Sequence, residues 1–243
     1  MEIAGRIAIV TGAAHRVGRG IALALAGEGA DIFVHYNRSA EMAERTADDV
    51  TRLGRRAVVG SADLADPDAA ADVVAAVIDS LGHPTILVNS ASGFPVDTLE
   101  DVAWAGWQRT LDVTLSGPVF LTQAFAATLD DADEAAVVNI TDVRTATPYR
   151  RHFSYTIAKG GIDTFTRAAA LALAPRIRVN AVALGVVLPP QTEEAEYAER
   201  LAADLPLRRA GGVEPVADAV VALIRNDFVT GEIIRVDGGG HLQ

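Results

Sequence analysis

The sequence predicts an α/β fold, a doubly wound parallel sheet of seven strands within a single domain. Three observations carry this reading. Apolar runs of strand length recur seven times along the 243 residues. Stretches with helical periodicity separate most of them, the alternation expected of βαβ units. A glycine-containing turn joins the first strand to the first helix, where such folds bind their ligands.

The elements follow in order. Residues 7–10, Ile-Ala-Ile-Val, form an unbroken apolar run that suits a strand covered on both faces. A helical pattern over 18–28 leads to a second strand at 31–36, and another over 40–53 leads to a third at 57–59. Pro67 opens a helix over 67–81, where a proline costs no hydrogen bond. A fourth strand spans 85–89, followed by a connecting helix region in which Trp104 and Trp107 are expected to pack. A helix over 117–129, a strand at 136–141, a helix over 154–173 and a strand at 178–183 continue the alternation. The segment 185–212 breaks the rhythm with Pro189-Pro190, an acidic helical patch from Glu193 to Asp204, and Arg208-Arg209. It reads as a loop with a small helix, a lid over 186–212. A helix over 215–225 and a strand at 232–236 close the pattern. No linker, composition shift or repeat divides the chain, so residues 1–243 form one domain.

Composition narrows the function classes. Half of the residues are hydrophobic and 22% are charged, an ordinary globular balance. A chain of this length buries about 70–75% of its unfolded surface and needs no staple. It has no cysteine, which excludes thiol catalysis and disulfides. A net charge of −11 argues against a nucleic-acid partner. The uncharged stretch 113–129 carries Thr, Ser, Gln and Pro and lacks membrane-span character. The first strand follows directly on the N-terminus without a basic and apolar leader, so a cytoplasmic location is expected. His15, His83 and His152 have no metal-ligand spacing, and no metal is expected.

Three motifs carry chemistry. Thr11-Gly12-Ala13-Ala14-His15-Arg16-Val17-Gly18 sits at the first strand-to-helix turn. Small residues there let the backbone approach a pyrophosphate at the positive end of a helix. Arg16 places a cation beside that position, within reach of phosphate or of an electron-rich substrate edge. After the second strand, His35-Tyr36-Asn37-Arg38-Ser39 offers a guanidinium and a hydroxyl where an NAD enzyme usually carries an acid. That pair suits a 2′-phosphate, so NADP(H) is the expected cofactor. The third motif is Tyr155-x-x-x-Lys159. Residues four apart share a helix face, so phenol and ammonium can meet one ligand. A phenol titrates near pH 10, and an adjacent cation is expected to lower that value and suit it to proton transfer. Lys159 is the single lysine among 21 basic residues. Its fall four places after one of four tyrosines has a chance of roughly 2%.

With these residues in hand, the chain resembles the short-chain dehydrogenase/reductase family over its whole length. The Thr-Gly turn, Asp63-Leu64, Asn89-Ser90-Ala91-Ser92, Tyr155/Lys159, Arg178-Val179-Asn180-Ala181 and Val236-Asp237-Gly238-Gly239 carry the resemblance. It implies a Rossmann-type sheet, Asp63 and Leu64 flanking an adenine, and an Asn89–Ala91 turn lining the cofactor. Gly185 and Val187 would face its carboxamide end, and Lys159 its ribose.

The departures from the family pattern point further. The family's Ser thirteen residues before the tyrosine is Asp142 here. Thr141 lies on the opposite side of an extended strand and is a poor substitute. Thr114 stands where the family carries a proton-relay Asn. Arg16, the segment from His35 to Ser39, Ala91-Ser92-Gly93-Phe94 and Asp142 resemble pteridine reductases. Ala195-Glu196-Tyr197 and the ending from Gly238 to Leu242 are most similar to dihydromonapterin reductases.

A pterin site fits these residues. Phe94 would sandwich a flat heterocycle against the nicotinamide, while Ser92 and Arg16 meet its polar edge. Asp142 and Tyr155 would deliver a proton to nitrogen as hydride reaches carbon. An ionised carboxylate there would repel the oxyanion of a simple ketone. The expected function is therefore NADPH-dependent reduction of a pteridine-type C=N bond. The alternatives are a carbonyl reductase of the 3-oxoacyl type and a non-catalytic dinucleotide-sensing protein. The resemblance further implies a homotetramer that pairs through the helices around 117–129 and 154–173. Arg150-Arg151-His152 forms a basic patch just before the Tyr155 helix and reads equally as solvated surface or as the mouth of the site.

Overall fold

A computed structural model describes residues 1–130, 133–188 and 200–242. Seven parallel strands form one sheet in the order β3-β2-β1-β4-β5-β6-β7. They are β1 (Ile7–Val10), β2 (Asp31–Tyr36), β3 (Ala57–Ser61), β4 (Ile86–Asn89), β5 (Ala135–Asp142), β6 (Ile177–Leu184) and β7 (Ile233–Val236). The helices are α1 (Arg16–Gly27), α2 (Ala40–Arg52), α3 (Ala69–Ser80), α4 (Trp104–Leu111), α5 (Gly117–Ala126), α6 (Phe153–Leu173) and α7 (Glu214–Arg225). The predicted fold class is thus the one observed.

Alternation along the strands feeds two cores. Ala8, Val10, Ile32, Val34, Val88, Val138 and Val182 pack with α1, α2 and α7 on one face. Ile9, Phe33, Leu87, Val137 and Val179 pack with α3, α5 and α6 on the other. Strand order reverses between β1 and β4, and ligands of open α/β sheets bind beyond the strand ends at such a point. Just beneath it, a buried polar network crosses the sheet. Asn89 Nδ2 donates to Asn139 Oδ1 at 2.8 Å, and Asn139 Nδ2 donates to Thr166 Oγ1 at 2.9 Å. These bonds tie β4 and β5 to α6.

Several element boundaries differ from the sequence reading. β3 continues to Ser61 and β5 to Asp142, because pairing persists to Tyr36↔Ser61 and Asp142↔Leu184. α3 begins at Ala69, not at Pro67. The Asp63 and Asp66 carboxylates accept from Ala65 N and Asp68 N and hold the preceding residues in turns. The expectation that both tryptophans pack holds for one of them. Trp107 is half-buried and meets the Phe153 ring at 6.0 Å. Thr110 also meets Ser154 across α4 and α6, whereas Trp104 is 76% exposed. Of the segment expected to form a lid, Pro189-Pro190, Glu193 and Ala195-Glu196-Tyr197 lie outside the described residues.

His35 joins the first turn to the sheet. Its Nδ1 accepts from Gly12 N at 3.3 Å, and its Nε2 donates to Ala62 O at 3.1 Å. Burial lowers this imidazole from 6.5 to about 4, against the raising effect of the Ala62 bond. Between those values the unfolded chain binds more protons than the folded one. Stability present above pH 6.5 is therefore lost as the pH falls towards 4. Urea unfolding across that window should reveal a loss of up to about 3 kcal/mol from this group. The slope should shrink in His35→Gln; equal slopes for the two proteins would contradict the assignment.

Candidate active site

The turn between β1 and α1 is built for close backbone approach. Gly12 adopts φ +65°, and a Cβ on it would lie 3.0 Å from Ala91 Cα. A Cβ on Gly18 would lie 2.3 Å from Gly12 O. Thr11 is fully buried and braces the turn by accepting from Ser90 N at 2.9 Å and Ala91 N at 3.0 Å. His15 makes no side-chain cap to α1, whose first turn holds no acidic residue. The positive end of the helix can therefore serve an anion. Arg16 takes a left-handed φ of 55° and, with Val17, is half-buried there.

The next corner collects the second motif. Tyr36 is half-buried against the core, whereas Asn37 and Arg38 are exposed. Ser39 sits at the start of α2 and makes no capping bond with its side chain. Asp63 pairs with Arg109 at 2.7 Å. That bond, with the charges of Arg109 and Arg38, holds its carboxyl below the usual range. Leu64 is buried against Gly117.

The side chains of three residues expected to line a cofactor are engaged by the protein itself. Thr11 uses its hydroxyl on the β4 loop. The Asn89 side chain lies in the network beneath the sheet end, so only Ser90 and Ala91 of that turn are accessible. Val187 is buried in the core with its carbonyl accepting from Gly212 N, while Gly185 N donates to Val236 O.

The catalytic candidates converge where α6 crosses the end of β5. Asp142 ends that strand, and its Oδ2 accepts the Tyr155 phenol proton at 2.9 Å. Its Oδ1 accepts from Arg144 N at 2.8 Å. Lys159 Nζ donates to Ile140 O at 2.6 Å and lies 5.8 Å from the Tyr155 ring centre. Thr141 is turned away, as its strand position predicts. Its hydroxyl donates to Asp163 Oδ1 at 2.6 Å, and Asp163 lies one turn beyond Lys159 on α6.

Electrostatics correct one expectation. The phenol is not lowered by Lys159. Burial, with Asp142 beside it, holds Tyr155 well above its ordinary value, so it keeps its proton. Burial also raises the Asp142 carboxyl, opposed by the Arg144 amide, the phenol and the Lys159 charge. Lys159 falls to about 8 through burial, which outweighs the attraction of Asp142 and Asp163. The three groups form a nearly dry proton-holding cluster.

Thr114 lies in a π-helical turn, Asp112–Ser116, between α4 and α5. Such insertions often mark functional positions. It places a hydroxyl where the family pattern supplies an amide, and that buried hydroxyl is 3.4 Å from Ser92 Oγ.

The outer wall of the site is aromatic. Phe94, 43% exposed, stands edge to face with Tyr155 at 4.7 Å and 89°. His152 stacks on Phe94 at 3.8 Å and 16°, and Tyr149 flanks both rings. His152 thus belongs to the mouth, while Arg150 and Arg151 are exposed. Sequence reading left that patch undecided and missed Tyr149 and Asp163. The available signals were the placement of His152 three residues before Tyr155, and of Asp163 two helical turns after it. Among the described residues no cluster of three or more His, Asp or Glu is placed to hold a metal ion. No described helix is long and apolar enough to cross a membrane.

A family model described as Enoyl-(Acyl carrier protein) reductase matches residues 12–241. A 3-oxoacyl-[acyl-carrier-protein] reductase of Synechocystis is 31% identical, covering 98% of this chain and 97% of that protein. An L-rhamnose 1-dehydrogenase (NAD(P)(+)) of Sphingomonas is 30% identical, over 98% and 97% of the two chains. The crystal structure of FolM Alternative dihydrofolate reductase 1 from Brucella canis, complexed with NADP, superposes with a TM-score of 0.95. It is 36% identical over all of this chain and 96% of that one.

Proposed function

We propose, from the premise that the chain belongs to the short-chain dehydrogenase/reductase family, that it is an NADPH-dependent reductase of a dihydropterin C=N bond. The observation that carries this reading is the hydrogen bond from the Tyr155 phenol to Asp142 Oδ2. The similarity to a structure named as an alternative dihydrofolate reductase supports it.

The cofactor is NADP(H), and the residues fit it. Gly12 and Gly18 let the β1–α1 turn pack tightly on the β4 loop and on itself, which would present the start of α1 to a pyrophosphate. Arg38 and Ser39 take the place of the acid that would select a 2′-hydroxyl, and their chemistry suits a 2′-phosphate. Arg16 and the α1 N-terminus would meet the phosphates, and Lys159 the ribose beside the nicotinamide. When bound, the cofactor supplies a hydride to the ring carbon.

The residues of the chain manage the proton. Tyr155 keeps its phenolic hydrogen at neutral pH and donates it to the ring nitrogen. Loss of that proton leaves a phenolate beside a carboxylate unless Asp142 refills it. In the resting site both Asp142 oxygens accept hydrogen bonds, as an ionised carboxylate does, and burial raises its affinity for a proton, which suits it to relay one to the phenolate. Lys159 offsets the negative charge of the pair. A C=N nitrogen is basic enough to take the proton as or before hydride reaches carbon, so little negative charge builds against Asp142. Reduction of a ketone builds negative charge on oxygen at that point, and an ionised Asp142 opposes it. Phe94 offers the flat substrate an aromatic face, and Ser92 and Arg16 offer its polar edge hydrogen bonds.

A second reading, carbonyl reduction of the 3-oxoacyl type, is favoured by the Synechocystis relative. It requires a protonated Asp142 that donates to the substrate oxygen. NADPH oxidation against dihydrobiopterin, dihydrofolate, an acetoacetyl thioester and an activated ketone separates the readings. The proposal expects turnover of the dihydropterins, with NADH a poorer cofactor. Turnover of the thioester or ketone alone contradicts it.

The assembly we propose is a homotetramer that pairs through α5 and α6, whose outer faces expose Phe120, Ile157 and Leu171. Light scattering at micromolar protein should give four times the chain mass, and a monomer mass would refute the pairing.

A further inference from the structure

Phe94 lies on an exposed loop, yet three neighbouring rings meet it. The loop carrying it is fastened to the first turn of α6 at three places. Phe153 N donates to Asp97 O at 3.2 Å, and Ser154 N donates to Asp97 Oδ1 at 3.2 Å. The third fastening is His152. Its Nδ1 lies 2.6 Å from Pro95 O, and because a carbonyl only accepts, that nitrogen carries the hydrogen.

The backbone of His152 is left-handed, with φ 62° and ψ 43°. That conformation is uncommon for a non-glycine residue and persists where its surroundings over-determine it. Here it turns the imidazole flat onto Phe94, with ring centres 3.8 Å apart and planes 16° from parallel. A phenyl ring has two faces, and His152 occupies one. Tyr155 meets Phe94 perpendicularly, which fixes the ring beside the proton donor. Phe94 stays 43% exposed beside these rings, and that exposed surface is what a ligand can meet.

Given the dihydropterin reading, on which this step rests, we propose that His152 is a positioning residue for substrate. It backs Phe94 from behind and sets the plane against which a flat heteroaromatic ring stacks beside Tyr155. The site thereby selects planar rings over flexible acyl chains. Removal of the imidazole frees Phe94 to rotate, and the stacking plane is lost without loss of any group that touches the cofactor.

His152→Asn isolates this role. Asparagine tolerates the left-handed backbone, and its side-chain amide can replace Nδ1 in the bond to Pro95 O, but it has no face to stack. The measurement is the affinity of oxidised biopterin for the enzyme–NADP⁺ complex, followed by quenching of pterin fluorescence. The variant should bind biopterin about tenfold more weakly, with NADP⁺ affinity unchanged and Tm within about 3 °C. The same substitution made in Phe94→Leu should change biopterin affinity by less than about twofold, because the partner through which His152 acts is gone. Unchanged biopterin binding in His152→Asn overturns the inference. Equal weakening in the Phe94→Leu background overturns it too, since His152 then acts by another route. Wild-type protein that binds biopterin but reduces no dihydropterin sinks the proposed reaction and leaves this inference standing. Wild-type protein that binds no pterin sinks both.

Discussion

The hydrogen bond from the Tyr155 phenol to Asp142 Oδ2, 2.9 Å long and nearly out of reach of water, governs what the rest of the site can do. It exists because β5 extends to Asp142 and α6 crosses that strand end with Tyr155 and Lys159 on one face. A serine at the same place would give a neutral donor suited to a carbonyl oxygen. The carboxylate instead receives the phenol hydrogen and keeps the phenol protonated. Lys159, buried and bonded to Ile140 O, balances the charge without making a phenolate. The site holds its protons in a buried cluster, and that property follows from a carboxylate at the end of β5.

The remaining parts serve this pair. The buried Asn89–Asn139–Thr166 network fixes the ends of β4 and β5 against α6, and so fixes Asp142 relative to Tyr155. Thr11 and His35 hold the first turn to its neighbours, which places the α1 N-terminus beside the β4 loop. That loop carries Ser92 and Phe94 to the mouth, where Asp97 and His152 lock it to α6. No acidic residue occurs from 143 to 162, although the chain carries a net charge of −11. That run carries Arg144, Arg150 and Arg151, with Asp97 and Asp101 of the facing loop set against it.

Much of this was legible in the sequence, for identifiable reasons. The five inner strands are buried on both faces, and burial of that kind favours apolar runs, while the edge strands β3 and β7 are only partly covered. Tyr155 and Lys159 announce themselves because helical spacing is local and because lysine occurs once. Asp142 and Thr141 were assigned to opposite sides by strand alternation alone, and the structure places them so. The direction of the Tyr155 shift was not legible. It depends on how thoroughly β5 and α6 exclude water, which spacing does not reveal. Thr11, Asn89 and Val187 sit in family motifs, and the motif does not reveal that their side chains point into the protein, which leaves their backbone to face a cofactor. His152 and Asp163 depend on contacts between distant segments, and no short-range pattern exposes those.

The central claim is that the carboxyl of Asp142 directs this site to C=N bonds. The most direct test compares kcat/KM for dihydrobiopterin and for an acetoacetyl thioester between wild type and Asp142→Ser, with NADPH affinity as a control for folding. The account predicts that serine lowers dihydropterin reduction by roughly a hundredfold, raises thioester reduction and leaves NADPH binding intact. Dihydropterin reduction within about threefold of wild type would contradict it.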